Sequence, residues 1–272
     1  MFSKSHKFYL RCMNAIAVRY SSSTVDAGEI KHHNQFAKEW WDKKNGPMKA
    51  LHAMNDLRIQ FIRTGLMNVN KISETDCEKA NYLKDFKILD VGCGGGILSV
   101  PLARLGGDVI GLDASSELIE IANNHLTTNF KPDIKLKFVN TTIEEHSATH
   151  KETYDVLILS EVIEHISLKE LFLQHCIDTL KPGGSVFITT LNRTNLAWFT
   201  AIFCVENILN IVPRGTHEWT KLITPDELKN YLKTTGCKVL QINGMLYIPF
   251  RNVWCWIPQK TVCFAAHAVK RT

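Results

Sequence analysis

Glu161, Glu164 and His165 fall within the hexapeptide S-E-V-I-E-H at 160–165. If that stretch turns helically, residues three and four apart share neighbouring faces, so two carboxylates and one imidazole would meet. Two hard oxygen ligands and one nitrogen, with coordination positions left open, suit a divalent cation such as magnesium, manganese or zinc. A plainer arrangement is also open, in which one glutamate packs beneath a bound ligand and His165 caps a loop. His165 could instead act as a general base. A second group of chemistry-bearing residues lies upstream. Asp90 ends an apolar run, glycines follow at 92, 94, 95 and 96, and Asp113 ends the next apolar run. Glycines between a strand and a helix let a ligand approach the backbone closely, and the helix start offers it unpaired N–H groups. An acid about 20 positions beyond the glycines suits the two hydroxyls of a ribose. These residues point to a nucleoside-containing ligand.

The glycine spacing narrows the choice of nucleoside. A dinucleotide fingerprint needs G-x-G-x-x-G, but Ile97 stands where the third glycine belongs, and G-x-x-x-x-G-K-S/T is absent. The segment L-D-V-G-C-G-G-G at 89–96 resembles instead the first motif of the S-adenosylmethionine-dependent methyltransferases. That resemblance implies a doubly wound α/β fold, with Asp90 near the sulfonium amino acid and Asp113 on the ribose. It also implies that Thr141, Thr142 and Ile143, after the third strand, face the adenine.

The elements that must position these groups follow an α/β rhythm. Apolar periodicity predicts helices over 26–45, 50–66, 116–128, 168–180 and 224–235. Strands are predicted at 134–139, 154–159, 185–191, 237–246 and 261–269, besides the two that flank the glycines. Residues 68–85 show no period and read as a linker. Thr224, Pro225 and Glu227 spell a helix start, while Lys181, Pro182, Gly183 and Gly184 spell a stop. The expected architecture is a doubly wound, mostly parallel, seven-stranded Rossmann-like sheet. N-terminal helices precede it, and a helical insert at about 193–222 comes before the last helix–strand unit.

At 272 residues, with 45% hydrophobic and 22% charged side chains, the chain has the means for one sizeable core, placed at 25–272. A net charge of +5 without basic–aromatic blocks argues against nucleic-acid binding. The eight cysteines have neither C-x-x-C nor zinc spacing and read as reduced. Residues 1–24 contain Lys4, Lys7, Arg11 and Arg19, several serines and no acid, the composition of a mitochondrial presequence.

Further segments sharpen the resemblance. F-A-K-E-W-W-D at 36–42, K-A-L-H-A-M-N-D-L-R at 49–58, S-E-V-I-E-H at 160–165, K-P-G-G-S-V-F-I-T-T-L-N-R at 181–193, P-R-G-T-H-E-W at 213–219 and A-A-H-A-V-K at 265–270 resemble the ubiquinone-biosynthesis O-methyltransferases in their mitochondrial form. The resemblance implies that Arg58, Gly92, Asp113 and Ser160 contact S-adenosylmethionine. It also implies that Glu161, Glu164 and His165 hold magnesium. Ser160 departs from the methionine common in bacterial members, so its contact is expected through the backbone. The implied substrates are catechols bearing polyprenyl tails, methylated on the matrix side of the mitochondrial inner membrane within a multi-subunit complex. The apolar stretch 195–212 carries Glu206 and is short for spanning a bilayer. It reads as a buried helix or as a lid over the tail, with Trp198 and Phe199 at the interface and Arg193 and Arg214 near headgroups. Competing functions are a non-catalytic cofactor-binding assembly subunit and a methyltransferase of a small soluble phenol.

Overall fold

The structure, a computed structural model, describes residue 24 and residues 27–129, 134–197 and 219–272. The presequence and most of the apolar insert, Trp198, Phe199 and Arg214 included, lie outside the described residues. No helix among the described residues is long and apolar enough to cross a membrane.

Eight strands form one sheet in the order β3-β2-β1-β4-β5-β8-β6-β7. They are β1 Lys87–Val91, β2 Asp108–Asp113, β3 Leu136–Asn140, β4 Tyr154–Ser160, β5 Leu180–Leu191, β6 Cys237–Ile248, β7 Val253–Ile257 and β8 Cys263–Lys270. The first five run parallel, whereas β8 lies antiparallel between β5 and β6. The expected seven-stranded count is therefore corrected to eight. The added strand, V-W-C-W-I, pairs antiparallel with β6 at the sheet edge. Its aromatic and β-branched run between Asn252 and Pro258 carried the strand signal.

Alternation through the central strands sorts the core onto two faces. Ile88, Ile158 and Phe187 face one cluster, while Leu89, Leu157, Leu159, Val186 and Ile188 face the other. The first face is covered by α2, Lys49–Asn68, which follows a short α1, Ala27–Asn34. On α2, Met54, Leu57, Arg58, Phe61, Ile62, Gly65 and Leu66 are buried at helical spacing, so one stripe meets the sheet. Gly65 lets that helix come close: a Cβ there would sit 2.5 Å from Cε1 of Phe187. Phe187 in turn stacks on His267, with centroids 4.3 Å apart. Burial pushes His267 down to about 4, so the packed ring is neutral at physiological pH.

The remaining helices are α3 Ser99–Arg104, α4 Ser116–Asn129, α5 Ile143–Thr149, α6 Lys169–Asp178 and α7 Pro225–Thr234. Phe172, Leu173 and Cys176 of α6 and Leu228 and Leu232 of α7 fill the second face. Thr224 and Glu227 form a reciprocal capping box on α7, as the sequence predicts. The helix α5 was not expected, although Thr142 and Glu145 have cap spacing and Thr142 does accept the Glu145 N–H. The helix expected over 26–45 instead stops at Asn34. A 3₁₀ turn spans Ala37–Glu39, and the Asp42 carboxylate then accepts the Lys44 and Asn45 N–H groups, which breaks the helix. Residues 68–85 form no regular element, yet they are more than a linker. Ile72, Tyr82 and Leu83 are buried, and the Leu83 N–H bonds the Leu105 carbonyl.

Gly65→Val is expected to unfold about 1–3 kcal/mol more easily, because α2 cannot back away without opening the core. Chemical denaturation of the variant beside Gly65→Ala measures this, and the loss should be larger for valine.

Candidate active site at the carboxyl rim of the sheet

The chain builds β2 and β3 on one side of β1 and then crosses to start β4 on the other. The switch point thus lies at the carboxyl ends of β1 and β4. Register carries Gly92, Asp113 and Ser160 to this one rim, since Val91 pairs with Leu112 and Leu159. The glycine turn leaves β1 with Gly92 at φ 69 and Gly94 at φ 53, conformations that L side chains rarely adopt. A Cβ on Gly92 would meet Cγ2 of Val162 at 2.5 Å, so the turn lies directly against the residues that follow β4.

Asp113 is tied to the turn. Its Oδ2 accepts the Gly94 N–H at 2.9 Å and its Oδ1 accepts the Ser115 N–H at 2.8 Å. Burial raises its pKa, and those two bonds oppose the rise. Asp90 is more deeply enclosed, at 2% exposure, and accepts the Ser99 hydroxyl at 2.5 Å. Burial pushes it up to about 6, against the pull of Ser99 and Arg58. Thr141, expected near an adenine, bonds its N–H to the Asp113 carbonyl, so it does border the same loop.

Arg58 reaches this rim from α2. Its Nη1 donates to Ser160 Oγ at 2.7 Å, and its Nη2 donates to the Leu51 carbonyl at 2.7 Å and to Asn55 Oδ1 at 2.5 Å. Its Nε is buried without a hydrogen-bond partner. Burial lowers its pKa to about 10, with Glu161 and Asp90 opposing, so it stays charged at neutral pH. Among the described residues, no carboxylate hydrogen-bonds it. Ser160 engages through its hydroxyl, which also bonds Thr189 Oγ1 at 2.8 Å. Asn55 donates to the Ile97 carbonyl at 2.8 Å and so ties α2 to the far end of the glycine turn. A small cavity lies beneath, lined by Arg58, Phe61, Leu98, Ser160, Phe187 and Thr189 among others.

The expected metal trio is arranged otherwise than its spacing suggests. Glu161 takes the left-handed conformation, φ 55, with its N–H bonded to the Thr189 carbonyl, so it stands outside the helical turn Ile163–His165. Glu164 points into the protein. Its Oε2 accepts the Thr190 hydroxyl at 2.8 Å, and its buried Oε1 has no hydrogen-bond partner. Burial first, and then the charge of Glu161, hold Glu164 well above the usual carboxylate range. His165 turns toward α1, its ring edge-on to His33 at 5.0 Å. Among the described residues, no group of three or more His, Cys, Asp or Glu side chains could hold a metal ion. Near Glu164 the buried Oε1 and the charge of Glu161 are two acidic features, fewer than the three ligands the sequence led one to expect. His165 does not supply the third.

A model of the family described as "Methyltransferase domain" matches residues 67–242. The mitochondrial ubiquinone biosynthesis O-methyltransferase of Rattus norvegicus is 38% identical over 99% of this chain and 79% of its own length. The ubiquinone biosynthesis O-methyltransferase of Rhizobium etli is 38% identical over 85% of this chain and 90% of its own. The chain belongs to the ubiquinone biosynthesis O-methyltransferases. The fold agrees: magnesium protoporphyrin IX methyltransferase from Synechocystis, solved with bound S-adenosylmethionine, superposes with a TM-score of 0.59 at 14% identity, over 92% of this chain and all of that one. This family member is accordingly an S-adenosylmethionine-dependent methyltransferase.

The residues between α1 and α2 cover the glycine turn. Trp40 is buried on Gly95 and on Gly94, where a Cβ would meet its Cζ2 at 2.5 Å. Trp41 donates from Nε1 to the Gly95 carbonyl at 3.1 Å and stacks on His125 with centroids 3.4 Å apart. Asn34 of α1 accepts the Ser115 hydroxyl at 2.6 Å. Two adjacent tryptophans in a polar stretch were the available signal.

Asp90 has a pKa near 6 in the fold against 3.8 when exposed, so its contribution to stability is full below 3.8 and lost as pH rises through about 6. Asp90→Asn is therefore expected to stabilise the cofactor-free protein at pH 7 by up to roughly 3 kcal/mol while weakening cofactor binding. Melting curves between pH 4 and 8 should show the variant's profile flattened where the parent falls.

Proposed function

We propose that this enzyme transfers the sulfonium methyl of S-adenosylmethionine to a ring hydroxyl of a polyprenylated catechol, in the making of ubiquinone. Relatives named for that pathway, matched along nearly the whole chain, support the substrate class. The observation that carries the chemistry is the convergence at one rim of the glycine turn, Asp113, a buried arginine with an unsatisfied N–H, and an acid pair beyond the cofactor end. Arg58 binds the cofactor's carboxylate through its unfilled Nε, and Asp113 takes the ribose hydroxyls beside the Gly94 N–H. Gly92 keeps the backbone low enough for the sulfonium side. Methyl transfer then needs an oxygen nucleophile in line with the carbon–sulfur bond and close to anionic. The O–C bond forms as the C–S bond breaks, and the sulfur departs as a neutral thioether.

A phenol with a pKa near 10 is mostly protonated at neutral pH. We assign to Glu161 and Glu164 the holding of a divalent cation, Mg²⁺ in our reading. Such a cation, when bound, stabilises a catecholate and lowers that pKa. His165 lies at the same turn, and as a base it takes the hydroxyl proton. We place the enzyme at the matrix face of the mitochondrial inner membrane, in a complex with other subunits. There the insert at about 193–222, with Trp198 and Phe199, shelters the tail. The basic, acid-free start of the chain supports mitochondrial import.

The test uses the purified protein, S-adenosylmethionine and a short-tailed catechol. One methylated product is expected per S-adenosylhomocysteine, and no product from either ligand alone. Excess EDTA is expected to suppress turnover and Mg²⁺ to restore it; undiminished turnover in EDTA would remove the cation from this reading. Arg58→Ala is expected to weaken cofactor binding roughly 10- to 100-fold by titration calorimetry, with the catechol KM much less affected.

A further inference from the structure

We propose that the buried indole N–H of Trp40 is a further cofactor-binding group, donating to a ribose hydroxyl of S-adenosylmethionine. The inference rests on the proposed placement of that cofactor at the glycine turn, and it adds a donor which that placement leaves unused.

Trp40 is 5% exposed, yet its Nε1 has no hydrogen-bond partner among the described residues. The ring lies against the turn: a Cβ on Gly94 would meet its Cζ2 at 2.5 Å, and one on Gly95 would meet its Nε1 at 2.7 Å. The N–H therefore stands beside the Gly95 backbone. The carbonyl of Gly95 is engaged by the next residue instead, accepting Trp41 Nε1 at 3.1 Å. Nothing about this placement is loose. His52 of α2 bonds the Trp40 carbonyl through Nε2 at 3.0 Å, and Ala37, Met48, Ile97 and Leu118 form an apolar cluster with the indole. A phenylalanine would meet the same packing demand without stranding a donor, whereas a buried donor with no acceptor costs the fold its desolvation. An acceptor brought by a ligand offsets that cost.

Position and chemistry select the acceptor. Asp113 Oδ2 accepts the Gly94 N–H at 2.9 Å, so the acid and Trp40 meet at the same glycine. The segment leading to Trp40 is also tied to the loop after Asp113, where Asn34 accepts the Ser115 hydroxyl. A ribose hydroxyl seated on Asp113 gives its proton to the carboxylate and keeps lone pairs that accept. The Gly94 and Ser115 N–H groups are both engaged on Asp113 itself, which leaves the Trp40 N–H as the donor beside them. In the proposed placement the other polar parts of the cofactor lie elsewhere, its carboxylate at Arg58 and its adenine beside Thr141. The ribose is thus gripped from two sides, by an acid beneath and by an indole from the cover.

The experiment measures binding to the full chain and to its Trp40→Phe variant by titration calorimetry. The ligands are S-adenosylhomocysteine and its 2′-deoxy and 3′-deoxy analogues. The substitution is expected to weaken binding of S-adenosylhomocysteine about tenfold, and to weaken one of the two analogues much less, because that analogue lacks the accepting hydroxyl. Equal weakening of all three ligands, or of none, overturns the inference and leaves Trp40 to packing alone. A second readout is independent of how well the variant folds. With the indole nitrogens of the parent isotopically labelled, the Trp40 N–H resonance is expected to move downfield on adding S-adenosylhomocysteine and to move less with the same analogue. A resonance that responds alike to all three ligands also overturns the inference. If the parent binds none of them, the proposed function falls together with this inference; if it binds them and Trp40 makes no difference, the inference alone falls.

Discussion

One buried cation holds the site together. Among the described residues, the Arg58 guanidinium is the single positive side chain of the buried charged residues at the rim, and it sits within electrostatic reach of Asp90 and Glu161. A charge so enclosed is tolerable only with partners, and its bonds to Ser160, Leu51 and Asn55 supply them. Those bonds join α2 to the end of β4, while Asn55 joins the same helix to the glycine turn. The first sheet face, the glycine turn and the acid pair are thus fixed relative to one another by one side chain and its neighbour one turn earlier. The remaining N–H of Arg58 and the remaining oxygen of Glu164 have no hydrogen-bond partner among the described residues.

Enclosure is also what sets the chemistry. Asp90 and Glu164 both sit above the ordinary carboxylate range because water is excluded from them. A protein selected for stability alone would replace such groups with apolar ones. Keeping acids in a dry cleft stores unfavourable energy that the positively charged methyl donor can relieve on binding. The cost falls on the empty protein, and the relief comes with the ligands.

Much of this was readable in residue types and spacing. Asp90, the glycines and Asp113 announced a nucleoside site because each has a backbone or charge requirement that few other residues meet. Thr224, Pro225 and Glu227 announced a helix start for the same reason. Arg58 could be singled out only through likeness to a family, since one arginine on an amphipathic helix is ordinarily a surface residue. The geometry of Glu161, Glu164 and His165 was beyond spacing: the left-handed backbone at Glu161 is imposed by its bond to the Thr189 carbonyl, a tertiary contact. The burial of Leu83 in an aperiodic stretch, and the approach of Gly65 to Phe187, are likewise properties of the packed whole. The strand β7 was legible in its aromatic and β-branched run, although no strand was expected between 246 and 261.

The cover over the glycine turn differs from the sheet in how it is held. Around Trp41 it is held by ring stacking and lone hydrogen bonds, from Trp41 to Gly95 and His125 and from Ser115 to Asn34. Such contacts exchange far faster than ladder bonds between strands. This part of the molecule can therefore yield twice in each catalytic cycle, once to admit the charged donor and once to release its neutral remnant. The rigid floor keeps its shape through both passages, and the pace of the cycle comes to depend on how readily the Trp41 indole lifts.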